Sequence, residues 1–232
     1  MKNIVIFLLL LILIISLAIK FKVKLKSKEM FTVRKHTIQR FINRKSEVYK
    51  DILFKVAKVM NRLNIPFFLS SGTLLGYYRE GKFLDHDYDV DIGIYNKDFT
   101  QDIFNEMKKE GFFNYRNLGK LDTGYEMSFY LRKSKIKKYA KIDIFVHNTE
   151  TVNGKKMIYW SSYKRPDYKE QIKYRVSYFD IRPVFFYNIP VNIPLNTEKY
   201  LREHYGDNWR IPIKPNKHLG YYYATSPVSI VK

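Results

Sequence analysis

The chain opens on an apolar segment before its mixed helix and strand patterns begin. Residues 4–19 form a run of sixteen residues that is interrupted only by Ser16, and Lys20 follows directly. Because a helix rises about 1.5 Å per residue, the run is slightly shorter than a hydrocarbon core of roughly 30 Å. Flanking lysines can extend their ammonium groups to the lipid surface and make up the difference. The pattern therefore predicts a single membrane anchor over residues 1–22.

Two points about this segment stay open. Ser16-Leu17-Ala18 has the small-x-small pattern of a cleavage site, so a cleaved signal peptide is the alternative to the anchor that we favour. Lysines are concentrated after the segment, which by the positive-inside rule favours a cytoplasmic location for the rest of the chain over a luminal one. We expect a Golgi- or ER-like membrane in a eukaryotic cell, or a host membrane for a viral protein.

Downstream, the pattern predicts a basic juxtamembrane linker over residues 23–45 and one catalytic domain over residues 46–232. From Ser46, apolar residues recur at three- and four-residue spacing, which predicts a helix that ends at Asn64 and Pro66. Further helices are predicted from Gly72 to near Gly81, in "KDFTQDIFNEMKKEG" and in "NTEKYLREHYG". Strands are predicted at residues 67–69, in "YDVDIGI", "GYEMSFYLRK" and "YAKIDIFVH", and as short segments up to residue 194.

Composition narrows the classes of function. The absence of cysteine excludes disulfides, cysteine-based zinc sites and a thiol nucleophile. The net charge of +20 suits a partner that is anionic lipid, nucleic acid or a phosphate-bearing substrate. No basic helix or aromatic-basic module stands out, so we expect no nucleic-acid partner.

Four aspartates are concentrated in "FLDHDYDVDIGIY" within this basic chain. Asp89 and Asp91 are two residues apart in the predicted strand, so their carboxylates project from the same face, about 7 Å apart. Asp87 continues this alternation, whereas Asp85 is assigned to the preceding turn. Carboxylates that converge in this way bind Mg²⁺ in enzymes that handle nucleotide phosphates. From the spacing alone, a solvated acidic turn explains the pattern equally well.

The upstream sequence favours the metal site. A turn at Gly72-Thr73 that opens a helix offers backbone N–H groups to a phosphate. A glycine turn, a helix and then a D-x-D strand form the core of the nucleotidyltransferase fold, which usually adds a third carboxylate from a neighbouring strand. Asp143 in "KIDIFV" is the candidate. We therefore predict an α+β fold with a nucleotidyltransferase-like mixed sheet and flanking helices, preceded by an N-terminal transmembrane helix.

The stretch "SSGTLLGYYREGKFLDHDYDVDIGI" resembles the signature of the LicD/fukutin family, in which S-G-T-L-L-G-x-x-R-x-G precedes aspartates that end in D-x-D-I-G. The later "KIDIF" and "YLREHYGDNW" resemble downstream landmarks of that family, so the resemblance spans roughly residues 64–210. Many members have Asp where this chain has Tyr88. Since residue 88 points to the opposite strand face, we expect little effect on metal binding.

The resemblance implies a phosphotransferase that moves phosphocholine, ribitol phosphate or a similar group from a CDP-activated alcohol to a glycan hydroxyl and releases CMP. It implies that Asp87, Asp89 and Asp91 bind Mg²⁺ or Mn²⁺. Asp89, Asp91 and Asp143 are the expected catalytic residues, with Asp91 or Asp143 as the base. The residues expected to bind the donor are Gly72, Thr73, Arg79 and Lys82, although Arg79 could equally pair with an aspartate and hold the loop.

Two other functions remain as alternatives. One is a D-x-D glycosyltransferase that uses a nucleotide sugar and Mn²⁺, and the turn-helix block before the aspartates argues against it. The other is a non-catalytic, membrane-tethered partner in glycan modification. The presence of all three candidate metal-binding aspartates argues against that function.

Overall fold

The structure is a computed structural model that describes residues 2–134, 136, 140–164, 167–212 and 227–231. Within residues 2–33 it describes side chains only at 20, 22, 24, 30 and 32, and within 227–231 it describes the backbone alone. The chain divides into two compact units, Met1–Arg44 and Lys45–Lys232. The helices are α1 (Lys2–Arg62), α2 (Ser71–Glu80), α3 (Asp102–Lys109) and α4 (Thr197–Tyr205). The strands are β1 (Phe67–Leu69), β2 (Val90–Tyr95), β3 (Phe112–Leu118), β4 (Glu126–Leu131), β5 (Lys141–Val152), β6 (Lys155–Tyr163), β7 (Gln171–Ser177), β8 (Ile181–Phe186), β9 (Ile189–Pro194) and β10 (Pro227–Val231).

The described strands form one mixed sheet in the order β10-β7-β6-β5-β2-β1-β9-β8, and β4 also pairs with β5 and carries β3. The pairs β2–β5 and β1–β9 are parallel, and the other neighbours are antiparallel. The predicted α+β fold, a mixed sheet with helices beside it, is confirmed in these described residues.

Strand β5 sets the geometry at the centre of the sheet. Its first half pairs with β2 on one side and β4 on the other, and its second half pairs with β6. The parallel register with β2 places Asp91 directly opposite Asp143. Parallel strands in register hold such residues on the same sheet face, so the two carboxylates lie beside each other.

The core explains why α1 remains helical up to Arg62. Its last turns bury apolar side chains at three- and four-residue spacing, and these belong to the same hydrophobic cluster as the inner strands. These helix residues are Tyr49, Ile52, Leu53, Val56, Val59 and Met60. Asn64 takes a positive φ of 53°, and the Ile65 amide donates to the Met60 carbonyl at 2.9 Å, which closes the helix end.

Two details of the predicted elements are corrected. The helix that was predicted to begin at Ser46 begins at Lys2, because neither glycine nor proline interrupts the chain before Pro66. No strand was predicted after residue 194, yet β10 pairs with β7 near the C-terminus. Strand β3 was not predicted. The terminating glycine of α2 is confirmed, since Gly81 adopts a left-handed φ of 65°.

In the part of the chain that the structure describes, none of the helices contains a stretch long and apolar enough to cross a bilayer. The side chains of residues 1–19, which carry the predicted anchor, lie outside the described part. The anchor, the linker and the domain bounds 46–232 therefore stay predictions.

Candidate metal centre

Three aspartates converge at the start of β2. Asp87, Asp89 and Asp91 each offer a carboxylate oxygen, and these oxygens all lie within 4.8 Å of one another. Asp91 belongs to β2, but Asp87 and Asp89 lie in the connection between α2 and β2, the aspartate loop (residues 81–89). The prediction that all three share one strand face is therefore wrong. The loop brings the oxygens closer than the roughly 7 Å repeat of a strand allows.

The start of α2 fixes Asp91. The Gly72 amide donates to Asp91 Oδ2 at 3.2 Å, and the Asp91 amide donates to Thr73 Oγ1 at 2.9 Å. A Cβ atom at Gly72 would overlap Asp87 Oδ2, so the approach of the loop requires glycine at this position. Gly72 and Thr73, predicted to bind a donor phosphate, thus contact the carboxylate site itself.

A buried lysine bridges Asp89 and Asp143. Lys141 is 4% exposed, and its Nζ lies 2.6 Å from Asp89 Oδ2 and 2.6 Å from Asp143 Oδ2. The Ser128 hydroxyl donates to Asp143 Oδ1 at 2.7 Å. Asp143 therefore lies beside the site, as predicted, but both of its oxygens already have partners.

Electrostatics favour a cation among the three aspartates. Burial raises the pKa of Asp87 and Asp91 well above the ordinary carboxyl value, and the charge of Asp89 raises both pKa values further. Burial acts to lower the pKa of Lys141, but the carboxylates of Asp143 and Asp89 outweigh it and raise that pKa. One ammonium thus faces several carboxylates. Hard oxygen ligands and excess negative charge suit Mg²⁺ or Mn²⁺, so the residues present fit a divalent cation.

The other two residues predicted to bind the donor, Lys82 and Arg79, pair with residues outside the group of three aspartates. Lys82 pairs with Asp85 at 2.8 Å, and both side chains are about half exposed. Arg79 donates to Glu80 Oε1 at 2.7 Å and to the Trp209 carbonyl at 3.2 Å, and neither partner is one of the three site aspartates. His86, the neighbour of Asp87 in the aspartate loop, is exposed and lies outside the group of three carboxylates.

Comparison with known proteins identifies the family. The family model described as "LicD/FKTN/FKRP, nucleotidyltransferase domain" matches residues 64–196, which is more than half of the chain. The chain belongs to the LicD/FKTN/FKRP family. The matched residues contain both the α2 start and the aspartate loop, so the resemblance predicted from the sequence is confirmed.

Similar proteins within the LicD/FKTN/FKRP family include ribitol-5-phosphate transferase FKTN from Macaca fascicularis, 32% identical over 179 residues. The Homo sapiens protein of the same name is 31% identical over 179 residues. In both cases the match covers 77% of this chain and 36% of the relative. An uncharacterized protein of Caenorhabditis elegans, T07A5.1, is 30% identical over 52% of this chain and 30% of its own length. The chain thus spans little more than a third of its FKTN relatives.

Several residues of this LicD/FKTN/FKRP site were not predicted. Lys141 lies two positions before Asp143 in a strand and therefore on the same face, so strand alternation in the sequence could have predicted that Lys141 lies near Asp143. Ser128 could be found only from the pairing of β4 with β5, which places it opposite Asp143. Ser128 also accepts from Arg116 at 3.0 Å, and Arg116 pairs with the buried Glu126. Burial raises the pKa of Glu126 to about 7.

The crowded carboxylates lead to a test with Asp87→Asn. This change removes one negative charge. It keeps a side-chain oxygen that can accept the hydrogen bond from the Tyr88 amide, which is 3.0 Å long in the unchanged protein. Without metal, we expect a gain of about 1 kcal/mol, or an unfolding midpoint about 2–4 °C higher. The stabilisation of the unchanged protein by Mn²⁺, about 2.7 kcal/mol at a hundred times Kd, should be largely lost. Thermal unfolding with and without Mn²⁺ measures both.

Asp85→Asn is the matched control, because Asp85 is exposed in the same loop and lies outside the group of three. It should shift neither midpoint by more than about a degree. A metal-free Asp87→Asn protein that unfolds earlier, with an unchanged response to Mn²⁺, would contradict this view of the site.

Proposed function

We propose that this chain is a phosphotransferase that moves ribitol phosphate, phosphocholine or a similar alcohol-phosphate group from a CDP-activated donor to a glycan hydroxyl. The observation that carries the proposal is the convergence of Asp87, Asp89 and Asp91 within 4.8 Å in a chain of this family. Two of its relatives are named as ribitol-5-phosphate transferases, which supports the substrate class.

In this proposal Asp87, Asp89 and Asp91 hold Mg²⁺ or Mn²⁺. When bound, the cation would neutralise charge on the donor pyrophosphate, which is the main requirement of phosphoryl transfer. Gly72 and Thr73 keep Asp91 in place through their bonds to its carboxylate and amide. Lys141 fixes Asp89 against β5. The protein thereby presents an organised set of oxygens and avoids reorganising them during the reaction.

The donor carries several negative charges, and positively charged side chains of this protein attract it. The net charge of +20 favours the approach of a polyphosphate to a cluster of carboxylates that would otherwise repel it. Lys82 is the more available of the two predicted donor ligands, because its ion pair with Asp85 is exposed and such pairs are weak. Arg79 is largely buried and engaged with Glu80 and Trp209.

The acceptor hydroxyl must lose its proton as it attacks the β-phosphorus and CMP departs. Asp91 and Asp143 are the two candidate bases, and they lie opposite each other in β2 and β5. Two variants distinguish which of the two is the base. If Asp143→Asn loses transfer but still binds Mn²⁺ normally, Asp143 is the base. If Asp143→Asn keeps transfer while Asp91→Asn loses both transfer and Mn²⁺ binding, Asp91 is favoured as ligand and base.

The activity test uses the full chain in a mild detergent with CDP-ribitol, CDP-choline and CDP-glycerol, a glycan acceptor, and either Mg²⁺ or a chelator. We expect CMP release from at least one CDP-alcohol, and loss of release on chelation. Asp89→Asn should lower kcat by about 10²–10³-fold, since it removes a ligand and a charge from the transfer site. Asp85→Asn should retain the activity.

Two outcomes would contradict the proposal. Release of UDP or GDP from nucleotide sugars, with the CDP-alcohols untouched, would favour a D-x-D glycosyltransferase. No turnover of any donor, no binding of Mg²⁺ or Mn²⁺, and no effect of Asp89→Asn would favour a non-catalytic partner in glycan modification.

We also propose that residues 1–22 anchor the chain in a membrane. Residues 4–19 supply the apolar run, with lysines on both sides of it, and the backbone is helical from Lys2. The expected result is that the protein stays in the membrane pellet after extraction at alkaline pH and keeps its N-terminus, as intact mass shows. Release into the supernatant, or a mass that lacks the first residues, would favour the signal peptide.

A further inference from the structure

The aspartate loop has no regular secondary structure, so beyond the bond from the Asp87 amide to the Leu84 carbonyl at 3.2 Å its carbonyls take partners from other elements. Lys45 on α1 supplies them. Its Nζ donates to the carbonyl oxygens of Leu84 at 3.0 Å, Asp85 at 2.7 Å and Asp87 at 3.0 Å. Lys45 is only 2% exposed, so the carbonyl oxygens of the loop replace water around its ammonium group.

Tyr49 lies four residues after Lys45 and therefore on the same face of α1. Its hydroxyl donates to the same Asp87 carbonyl at 3.1 Å. Its ring packs edge-on against Phe83 of the loop, with 5.2 Å between the ring centroids. Lys45 and Tyr49 thus contact the loop through both polar and apolar groups, and two donors meet on the carbonyl of one metal-site residue.

From these contacts we infer that Lys45 and Tyr49 are positioning residues for the metal centre. They hold the carbonyl side of the aspartate loop against α1, so that the Asp87 carboxylate points toward those of Asp89 and Asp91. The inference rests on the proposed function, because it assumes that these carboxylates bind a divalent cation. Its physical basis is that groups behind metal ligands orient them, and their loss typically weakens metal binding.

If Lys45 contributed only to stability, its removal would have a different effect. Its removal would lower the unfolding temperature and leave the metal affinity of the folded protein unchanged. Mn²⁺ affinity, followed through the electron paramagnetic resonance signal of the free ion, therefore separates positioning from stability. The measurement does not depend on knowing the donor or the acceptor.

The experiment uses the full chain in a mild detergent, with circular dichroism to verify folding. Lys45→Met keeps the length of the side chain and removes the ammonium, and we expect about 10–100-fold weaker Mn²⁺ binding. Tyr49→Phe keeps the ring on Phe83 and removes one donor, so we expect about two- to tenfold weaker binding.

Each variant has a matched control. Lys55→Met changes a lysine on α1 that pairs with Asp51 at 3.7 Å. Tyr95→Phe removes a hydroxyl that donates to the carbonyl of Phe179 at 2.9 Å. Both controls should bind Mn²⁺ as the unchanged protein does.

A folded Lys45→Met protein with unchanged Mn²⁺ affinity would overturn the inference. If Lys45→Met does not fold, Tyr49→Phe decides, and an unchanged affinity in that variant would overturn it equally. Failure of the unchanged protein to bind Mn²⁺ is a separate outcome, which would overturn the proposed metal centre and this inference with it.

Discussion

Repulsion among three carboxylates is the constraint on which the rest of this site depends. Asp87, Asp89 and Asp91 offer oxygens within 4.8 Å of one another, a separation at which like charges destabilise each other strongly when partly buried. Their neighbours act against this repulsion. The Gly72 amide donates to the Asp91 carboxylate, and Lys141 neutralises part of the charge at Asp89. A divalent cation would supply the compensation that these contacts leave incomplete.

The elements β1, α2, β2 and β5 bring the residues of this site together. Strand β1 leads into α2, whose first residues contact the start of β2, while β5 runs parallel to β2 and carries Lys141 and Asp143. Lys45 and Tyr49 of α1 also hold the aspartate loop through its backbone carbonyls. The same site is therefore built from segments far apart in the sequence.

Much of this could be predicted from the sequence, because the pattern and the family resemblance rest on local signals. The turn at Gly72, the strand that contains Asp91 and the pairing partner Asp143 were all found in this way. The conformation of the aspartate loop was not, because strand alternation does not describe a loop fixed by distant donors. Lys45 falls on the buried face that Tyr49 and Ile52 continue, but periodicity alone does not show which carbonyls a buried lysine contacts.

In the proposed site, Asp87, Asp89 and Asp91 together bind one divalent cation, while Lys141 stays paired with Asp143. Anomalous diffraction from crystals of the full chain grown with Mn²⁺ tests this most directly. We predict a single anomalous peak at coordination distance from all three aspartates, with Lys141 still between Asp89 and Asp143. A site without a peak, or a cation bound to Asp143 in place of Lys141, would contradict it.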